Sequence, residues 1–152
     1  MKVAVELADE QQQPVDAEDL VSLARHVLAE QRVPSDMEVA LLLVDRDTIT
    51  QLNATHMGHD GPTDVLAFPI DEPGESLPDV PAILGDVVLC PEVAAEQAPR
   101  FQRSAHEELR LLTVHGLLHL LGMDHAEPDE HHEMFALTDR LLASHQPGAG
   151  QR

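Results

Sequence analysis

Apolar and polar residues follow two different periods along this chain, and the two periods predict β-strands and α-helices. Alternation in VAVELA (3–8) and the apolar stretch MEVALLLV (37–44) each predict a strand. VLAF (65–68) and GDVVLC (85–90) predict two further strands, both next to residues that favour turns. Four strands are therefore expected, separated by stretches with a helical period or with turn composition.

Five stretches predict helices, because apolar residues recur every three or four positions or because a capping residue precedes them. The fourth begins with Ser104 and Glu107 at capping-box spacing, is apolar on nearly every side, and ends at Gly122. The five predicted helices start at N-cap Asp16, at N-cap Asp47 (ending near Asn53), at Pro91, at N-cap Ser104, and at Pro128 (ending near Ser144).

The remaining segments are rich in Gly, Pro and acidic residues, which predicts loops at 56–64 and 71–81. QPGAGQR (146–152) predicts a disordered tail. No repeat or second composition divides the chain, so a single domain is expected over 1–145. The N-terminus does not resemble a signal peptide, and no apolar run reaches the roughly 20 residues needed to cross a bilayer, so no membrane partner is expected.

The composition of the chain indicates what its core is made of and which partners it can bind. Apolar residues make up 43% of the 152, but there is no Trp or Tyr and there are three Phe, so the core is expected to be aliphatic. The single cysteine, Cys90, cannot form an internal disulfide, which indicates a reducing, cytoplasmic location. The formal net charge is −19. Because such a field repels polyanions at long range, a nucleic-acid partner would need a local basic site.

The helix that ends at Gly122 carries the clearest candidate chemistry. His115 and His119 are four residues apart and share one helix face, and a turn at Gly122 would bring His125 back toward them. Three neutral imidazoles leave one position of a zinc ion open to water, as in catalytic zinc sites, and the ion would lower the pKa of that water to about 7. We therefore predict one zinc ion per chain on His115, His119 and His125.

The same histidine frame, H-x-x-x-H-x-x-G-x-x-H, occurs in one group of metalloproteases. In those enzymes a glutamate follows the first histidine and serves as the general base, whereas this chain has Gly116 there. A peptidase is therefore disfavoured. A buried helix with core histidines and a non-catalytic metal-binding module remain as alternatives.

VHGLLHLLGMDH (114–125) resembles the HG-x-LHL-x-G-x-DH signature of the YbeY family, metal-dependent endoribonucleases of bacterial ribosomal RNA maturation. LN (52–53) with GPTDVLAFP (61–69) is similar to a second motif of that family, and LGDVVL (84–89) resembles its GD-[IV] strand. The order and spacing of these motifs agree over residues 40–140.

The resemblance implies an α+β, zincin-like fold in which a mixed four-stranded sheet and about five helices surround a central metal-binding helix. It implies zinc on the three histidines, single-strand-selective RNA cleavage, maturation of the 3′ end of small-subunit (16S) rRNA, and a part in ribosome quality control. The implied partners are ribosomal RNA and the small ribosomal subunit. Because of the net charge of −19, the ribosome or an associated protein is expected to position the RNA end. A non-catalytic module that binds metal and interacts with the ribosome remains the alternative.

Two positions depart from the family pattern. Members commonly carry an arginine, thought to hold or activate substrate, where this chain has Met57, and a serine where it has Ala67. The catalytic scheme of the family is therefore not expected to carry over unchanged.

Two aspartates and a group of arginines complete the candidate site. The PTDVL and GDV matches place Asp64 and Asp86 on strands expected to border the metal cleft, where they would serve catalysis or, alternatively, cap turns at the strand starts. Arg100, Arg103 and Arg110 lie just before the histidines and supply three of the nine basic residues. Arg103 and Arg110 are predicted to bind RNA phosphates, although ordinary positions on a helix surface would explain them equally well.

Overall fold

The computed structural model describes residues 3–71, 82–123 and 128–145. Its strands are β1 (Ala4–Glu10), β2 (Met37–Val44), β3 (Val65–Pro69) and β4 (Ala82–Leu89). Its helices are α1 (Ala17–Glu30), α2 (Arg46–Leu52), α3 (Pro91–Gln97), α4 (Ala105–Leu120) and α5 (Pro128–Ser144). A π-helical turn (Asn53–Met57) follows α2, and a 3-10 turn (Ala98–Phe101) follows α3.

The four strands form one mixed sheet in the order β1-β2-β4-β3. β1, β2 and β4 run parallel, while β3 pairs antiparallel with β4. This confirms the predicted α+β class, the mixed four-stranded sheet and the five helices. β4 begins three residues earlier than predicted, because Ala82 and Ile83 pair with Met37 and Glu38 of β2 before a register shift at Glu38/Val39. That pairing is non-local and leaves no sign in the β4 sequence itself.

The two faces of the sheet are covered differently. Strand side chains alternate between faces, so Val87 and Leu89 belong to the large cluster formed with α1 and α4, while Val88 belongs to a small cluster with Ile49 of α2. Cys90, directly after β4, is buried in the small cluster. The core is aliphatic, as the composition predicted.

Most helix starts are those predicted, and one is not. Asp16 accepts from the Asp19 N–H at 3.1 Å, and the capping box of Ser104 and Glu107 is fully formed. The prediction of Asp47 as a cap was wrong: Asp45 accepts from Thr48 N–H at 2.8 Å. Asp45 has the extended backbone that an N-cap requires because it follows β2 directly, whereas Asp47 already lies in the first helical turn.

Three predictions concern parts of the chain that are not described. Segment 72–81 of the predicted loop, the predicted tail 146–152, and residues 124–127, which include His125, all lie outside the described residues. In the part of the chain that is described, no helix is both long enough and apolar enough to span a bilayer.

Candidate active site

Helix α4 packs against strands β3 and β4 and against helices α1, α3 and α5. Its close approach to the sheet depends on Gly116. A Cβ atom at that position would lie 2.5 Å from Val87 Cγ1 and 3.3 Å from Val65 Cγ2. Both distances are shorter than ordinary van der Waals contact, so α4 can rest on the sheet in this way only if residue 116 has no side chain.

The contact of Gly116 with the sheet also explains why this position does not carry the glutamate found in the metalloproteases. A side chain at position 116 would be directed into the sheet, toward Val87 and Val65. A glutamate there would have to enter an apolar interface, where an unpaired carboxylate is costly. With this packing, position 116 therefore cannot supply a general base, and the geometry disfavours the peptidase alternative.

His115 and His119 lie one turn apart on α4, and both are half-buried. The ring of His115 lies edge-on to the ring of Phe135 in α5, with 4.7 Å between centroids and an interplanar angle of 75°. His131 of α5 packs on the same phenyl ring, with its centroid at 4.4 Å. Helix α5 therefore lies against the histidine face of α4 and limits the space around it.

The chain reverses after α4 through a Schellman turn. Gly122 has φ +91°, its N–H donates to His119 O at 3.0 Å, and Met123 N–H donates to Leu118 O at 3.0 Å. This confirms the turn predicted from Gly122, which ends the helix before Met123. His125, the third predicted zinc ligand, comes three residues later, outside the described part of the chain.

The two described ligand candidates, His115 and His119, fit a zinc ion. Imidazoles four residues apart on one helix face are a usual zinc-binding pair, and their half-buried position excludes part of the solvent. Among residues 3–71, 82–123 and 128–145, no three His, Cys, Asp or Glu side chains form a group that could hold a metal ion. A complete site thus requires a ligand from beyond these residues, which is the role predicted for His125.

A second polar cluster joins Asp64 to α4. Gln97 Nε2, at the end of α3, donates to Asp64 Oδ2 at 2.8 Å and to Glu108 Oε2 at 3.0 Å. Glu108 is buried on α4, and its other oxygen accepts from Arg103 Nη1 at 3.0 Å. The structure therefore brings together two of the predicted site residues, Asp64 and Arg103, through Gln97 and Glu108. We name these four residues the carboxylate cluster.

Glu108, the member of the carboxylate cluster that lies on α4, shares one stripe of that helix with the histidines. Glu108 precedes His115 by seven residues and His119 by eleven, spacings that return to the same helix face. At 1.5 Å per residue, Glu108 lies about 10 Å from His115 along the helix axis. The two groups are thus close enough to contact adjacent parts of one extended ligand.

Arg110 does not occupy the surface position predicted for it. Its guanidinium is buried, where Nη1 donates to Asp19 Oδ2 at 2.6 Å and Nη2 donates to the carbonyl oxygen of His145 at 2.5 Å. His106 also contacts Asp19, at 2.6 Å. Burial alone would raise the pKa of Asp19, but the hydrogen bonds from Arg110 and His106 outweigh it and lower that pKa. Arg110 joins α1, α4 and the end of α5, and the phosphate contact predicted for it does not fit this position.

Asp86 is also placed away from the histidines. Its neighbour Val87 points toward α4, so the alternation of β4 directs Asp86 to the opposite face, opposite Phe68 of β3. The expected catalytic position beside the metal cleft is therefore not supported for Asp86.

Sequence reasoning overlooked Gln97 and Glu108. A signal for Glu108 was available, because it is a carboxylate spaced seven and eleven residues before His115 and His119, on the same face of a largely apolar helix. No comparable signal marks Gln97, since its two bonds depend on how α3 packs beside α4.

Known proteins are similar to this chain over nearly all of its length. A family model described as Endoribonuclease YbeY matches residues 6–146. Endoribonuclease YbeY of Salinispora tropica is 54% identical over 150 residues, covering 93% of this chain and 96% of the relative. Endoribonuclease YbeY of Thermobifida fusca is 49% identical, covering 93% of each chain, and that of Mycobacterium tuberculosis is 51% identical, covering 92% of this chain and 82% of the relative.

A solved structure shows the same fold. The solution structure of TM1509 from Thermotoga maritima matches with a TM-score of 0.57 at 26% sequence identity, over 92% of this chain and 90% of that one.

Proposed function

Because this chain belongs to the YbeY family, we propose that it is a zinc-dependent endoribonuclease that cuts single-stranded RNA. The observation that carries the proposal is that His115 and His119 share one stripe of α4 with Glu108, which joins Arg103 and, through Gln97, Asp64. A hydrolase for RNA needs groups that manage a phosphate, a nucleophile and a proton, and the histidines together with the residues joined at Glu108 offer candidates for each.

In this proposal His115, His119 and His125 hold one zinc ion per chain. When bound, the ion supplies Lewis acidity toward a phosphoryl oxygen and makes water a better nucleophile near neutral pH. The chain's own contribution is to orient the imidazoles: α4 places two of them on one face, and in this proposal the turn at Gly122 brings His125 toward them.

Asp64 and Arg103 have separate roles in the proposed reaction. Asp64 is half-buried and its carboxylate is held by Gln97, so it can accept a proton from an attacking hydroxyl, whether of water or of the RNA itself. Arg103 keeps 34% of its side chain exposed while Glu108 holds one of its nitrogens, so it can donate to a phosphate from a fixed position.

The proposed cellular substrate is the precursor of small-subunit rRNA, cut near its 3′ end, with a part in ribosome quality control. With a net charge of −19, the chain would engage RNA locally and weakly, so the ribosome or an associated protein would have to position the RNA end. The lone buried thiol of Cys90 agrees with a cytoplasmic location.

The test compares substrates and metal states with the full chain. Zinc-loaded protein should cut an unstructured oligoribonucleotide, should spare the same sequence in a duplex, and should leave casein intact. EDTA should stop the cleavage and zinc should restore it, while His119→Ala should lose both bound zinc and cleavage. Cleavage of casein but not of RNA would replace this proposal with a peptidase. Full zinc content in His119→Ala would remove the metal assignment.

A further inference from the structure

None of the three phenylalanine side chains is fully buried. Phe68 is half-buried, Phe135 lies beside the histidines, and Phe101 is 57% exposed in the 3-10 turn between α3 and α4. In a chain without Trp or Tyr, these are all the aromatic rings apart from histidine. Phe101 is thus a large apolar ring in solvent, at the point where the chain enters the helix of the candidate site.

Phe101 is paired with a cation. The guanidinium carbon of Arg103 lies 5.1 Å from the centroid of the Phe101 ring, within the range of a cation–π contact. Gln102, between them, has φ +58°, a left-handed conformation that costs energy for a residue with a side chain. The strained residue therefore lies between the two residues whose phenyl ring and guanidinium are in contact.

The position of Arg103 is also fixed from within the fold. Glu108, buried on α4, accepts from Arg103 Nη1 at 3.0 Å, and Gln97 links the same carboxylate to Asp64. Arg103 is therefore held between the exposed ring of Phe101 and the buried carboxylate of Glu108. An arginine held in this way loses little side-chain entropy when a ligand arrives.

We propose that Phe101 and Arg103 form a nucleotide subsite for single-stranded RNA. One base stacks on the phenyl ring and the adjoining phosphate accepts from the guanidinium, so the strand continues from this subsite toward Asp64. The pairing of an aromatic platform with a cation is what single-strand binding requires, and it is tolerant of sequence. A local subsite of this kind also explains how a chain of net charge −19 can hold RNA. The inference rests on the proposed function, because it gives that activity its substrate contact.

The experiment measures the affinity of the zinc-loaded full chain for a fluorescein-labelled unstructured oligoribonucleotide and for an oligomer with the same backbone but without bases. Phe101→Ala should weaken binding of the normal oligomer about tenfold and leave binding of the abasic one unchanged. Phe101→Trp should restore the affinity. Ile70→Ala is the matched control, since Ile70 is also 57% exposed, and it should have no effect.

Salt dependence separates the two parts of the subsite. Arg103→Gln should reduce the slope of log affinity against log salt by about 0.7, the value for one phosphate contact on a single strand, while Phe101→Ala leaves the slope unchanged. In cleavage, Phe101→Ala should raise KM with little change in kcat, because the stack binds substrate and transition state alike.

The outcomes distinguish this subsite from the function on which it rests. If the wild type binds and cuts RNA but Phe101→Ala does so equally well, the subsite is overturned and the proposed function stands. Equal weakening of both oligomers by Phe101→Ala would also overturn it, since the loss would not involve a base. If the wild type neither binds nor cuts RNA, the proposed function itself fails.

Discussion

Replacing Gly116 with alanine sets two known effects against each other. Gly116 lies within α4, where alanine is the better helix former by about 0.5–1 kcal/mol. The added methyl would lie 2.5 Å from Val87 Cγ1 and 3.3 Å from Val65 Cγ2. Val87 is fully buried and β-branched, so it cannot rotate away cheaply.

The steric effect should be the larger one. Adding a methylene to a well-packed core costs about 1–3 kcal/mol, and a contact this short belongs in the upper part of that range. After the gain in helix propensity is subtracted, we expect Gly116→Ala to lower the free energy of unfolding by about 1–2 kcal/mol. For a chain of this size that corresponds to a fall in Tm of roughly 3–6 °C.

Urea denaturation of metal-free protein measures the free energy, and a double-mutant cycle tests its cause. Val87→Ala alone should cost roughly 2 kcal/mol, because it removes two buried methyl groups. In the double variant the new methyl of residue 116 fills part of that space. The double variant should therefore lose about 1 kcal/mol less stability than the sum of the two single losses. If Gly116→Ala is more stable than the wild type, or if the two losses are additive, close packing of α4 on the sheet is not why glycine is required.

Three further predictions follow from the buried groups and from β4. Arg110→Met should lower the free energy of unfolding by about 3–5 kcal/mol because it leaves Asp19 buried without its main partner, and adding Asp19→Leu should recover most of that loss in urea denaturation. Burial and the nearby Arg110 charge lower the pKa of His145. Just below about pH 6.5, His145 is therefore protonated more readily in the unfolded chain than in the folded chain. Stability should therefore be complete above about pH 6.5 and fall as the pH drops below it, and His145→Gln should show a smaller fall over pH 7 to 5 in metal-free protein. Asp86→Asn should keep full zinc content and full RNA cleavage, because β4 directs residue 86 away from α4; loss of cleavage with unchanged Tm would return Asp86 to the site.

The elements of this fold could be predicted because their signals are local. The capping box of Ser104 and Glu107, Pro91 at the start of α3 and Gly122 after α4 each act within one turn of the chain. The same holds for the pairing of His115 with His119, which needs only helical spacing. Apolar periodicity located all four strands, although it placed the start of β4 too late.

The environments of the site residues could not be predicted in the same way. Arg110 becomes an interior residue because Asp19, 91 positions earlier in the chain, is brought beside it by the packing of α1 on α4. Asp86 sits in a strand that is apolar on both faces, so the pattern of β4 does not show which residues face α4. In both cases the surroundings of the side chain differ from the expectation because they depend on which element packs against it.

The contact between Arg110 and the carbonyl oxygen of His145 has a consequence for how the chain is made. A polypeptide is synthesised from its N-terminus at about 5–20 residues per second, and α4 is complete well before residue 145 is added. Until then Asp19 can pair with Nη1 of Arg110, but Nη2 lacks the acceptor that the end of α5 supplies, and an unsatisfied buried donor opposes tight packing. We therefore expect the native packing of α1 on α4 to be completed only after residue 145 has left the ribosome, so nascent chains that stop before residue 145 should remain open to proteases.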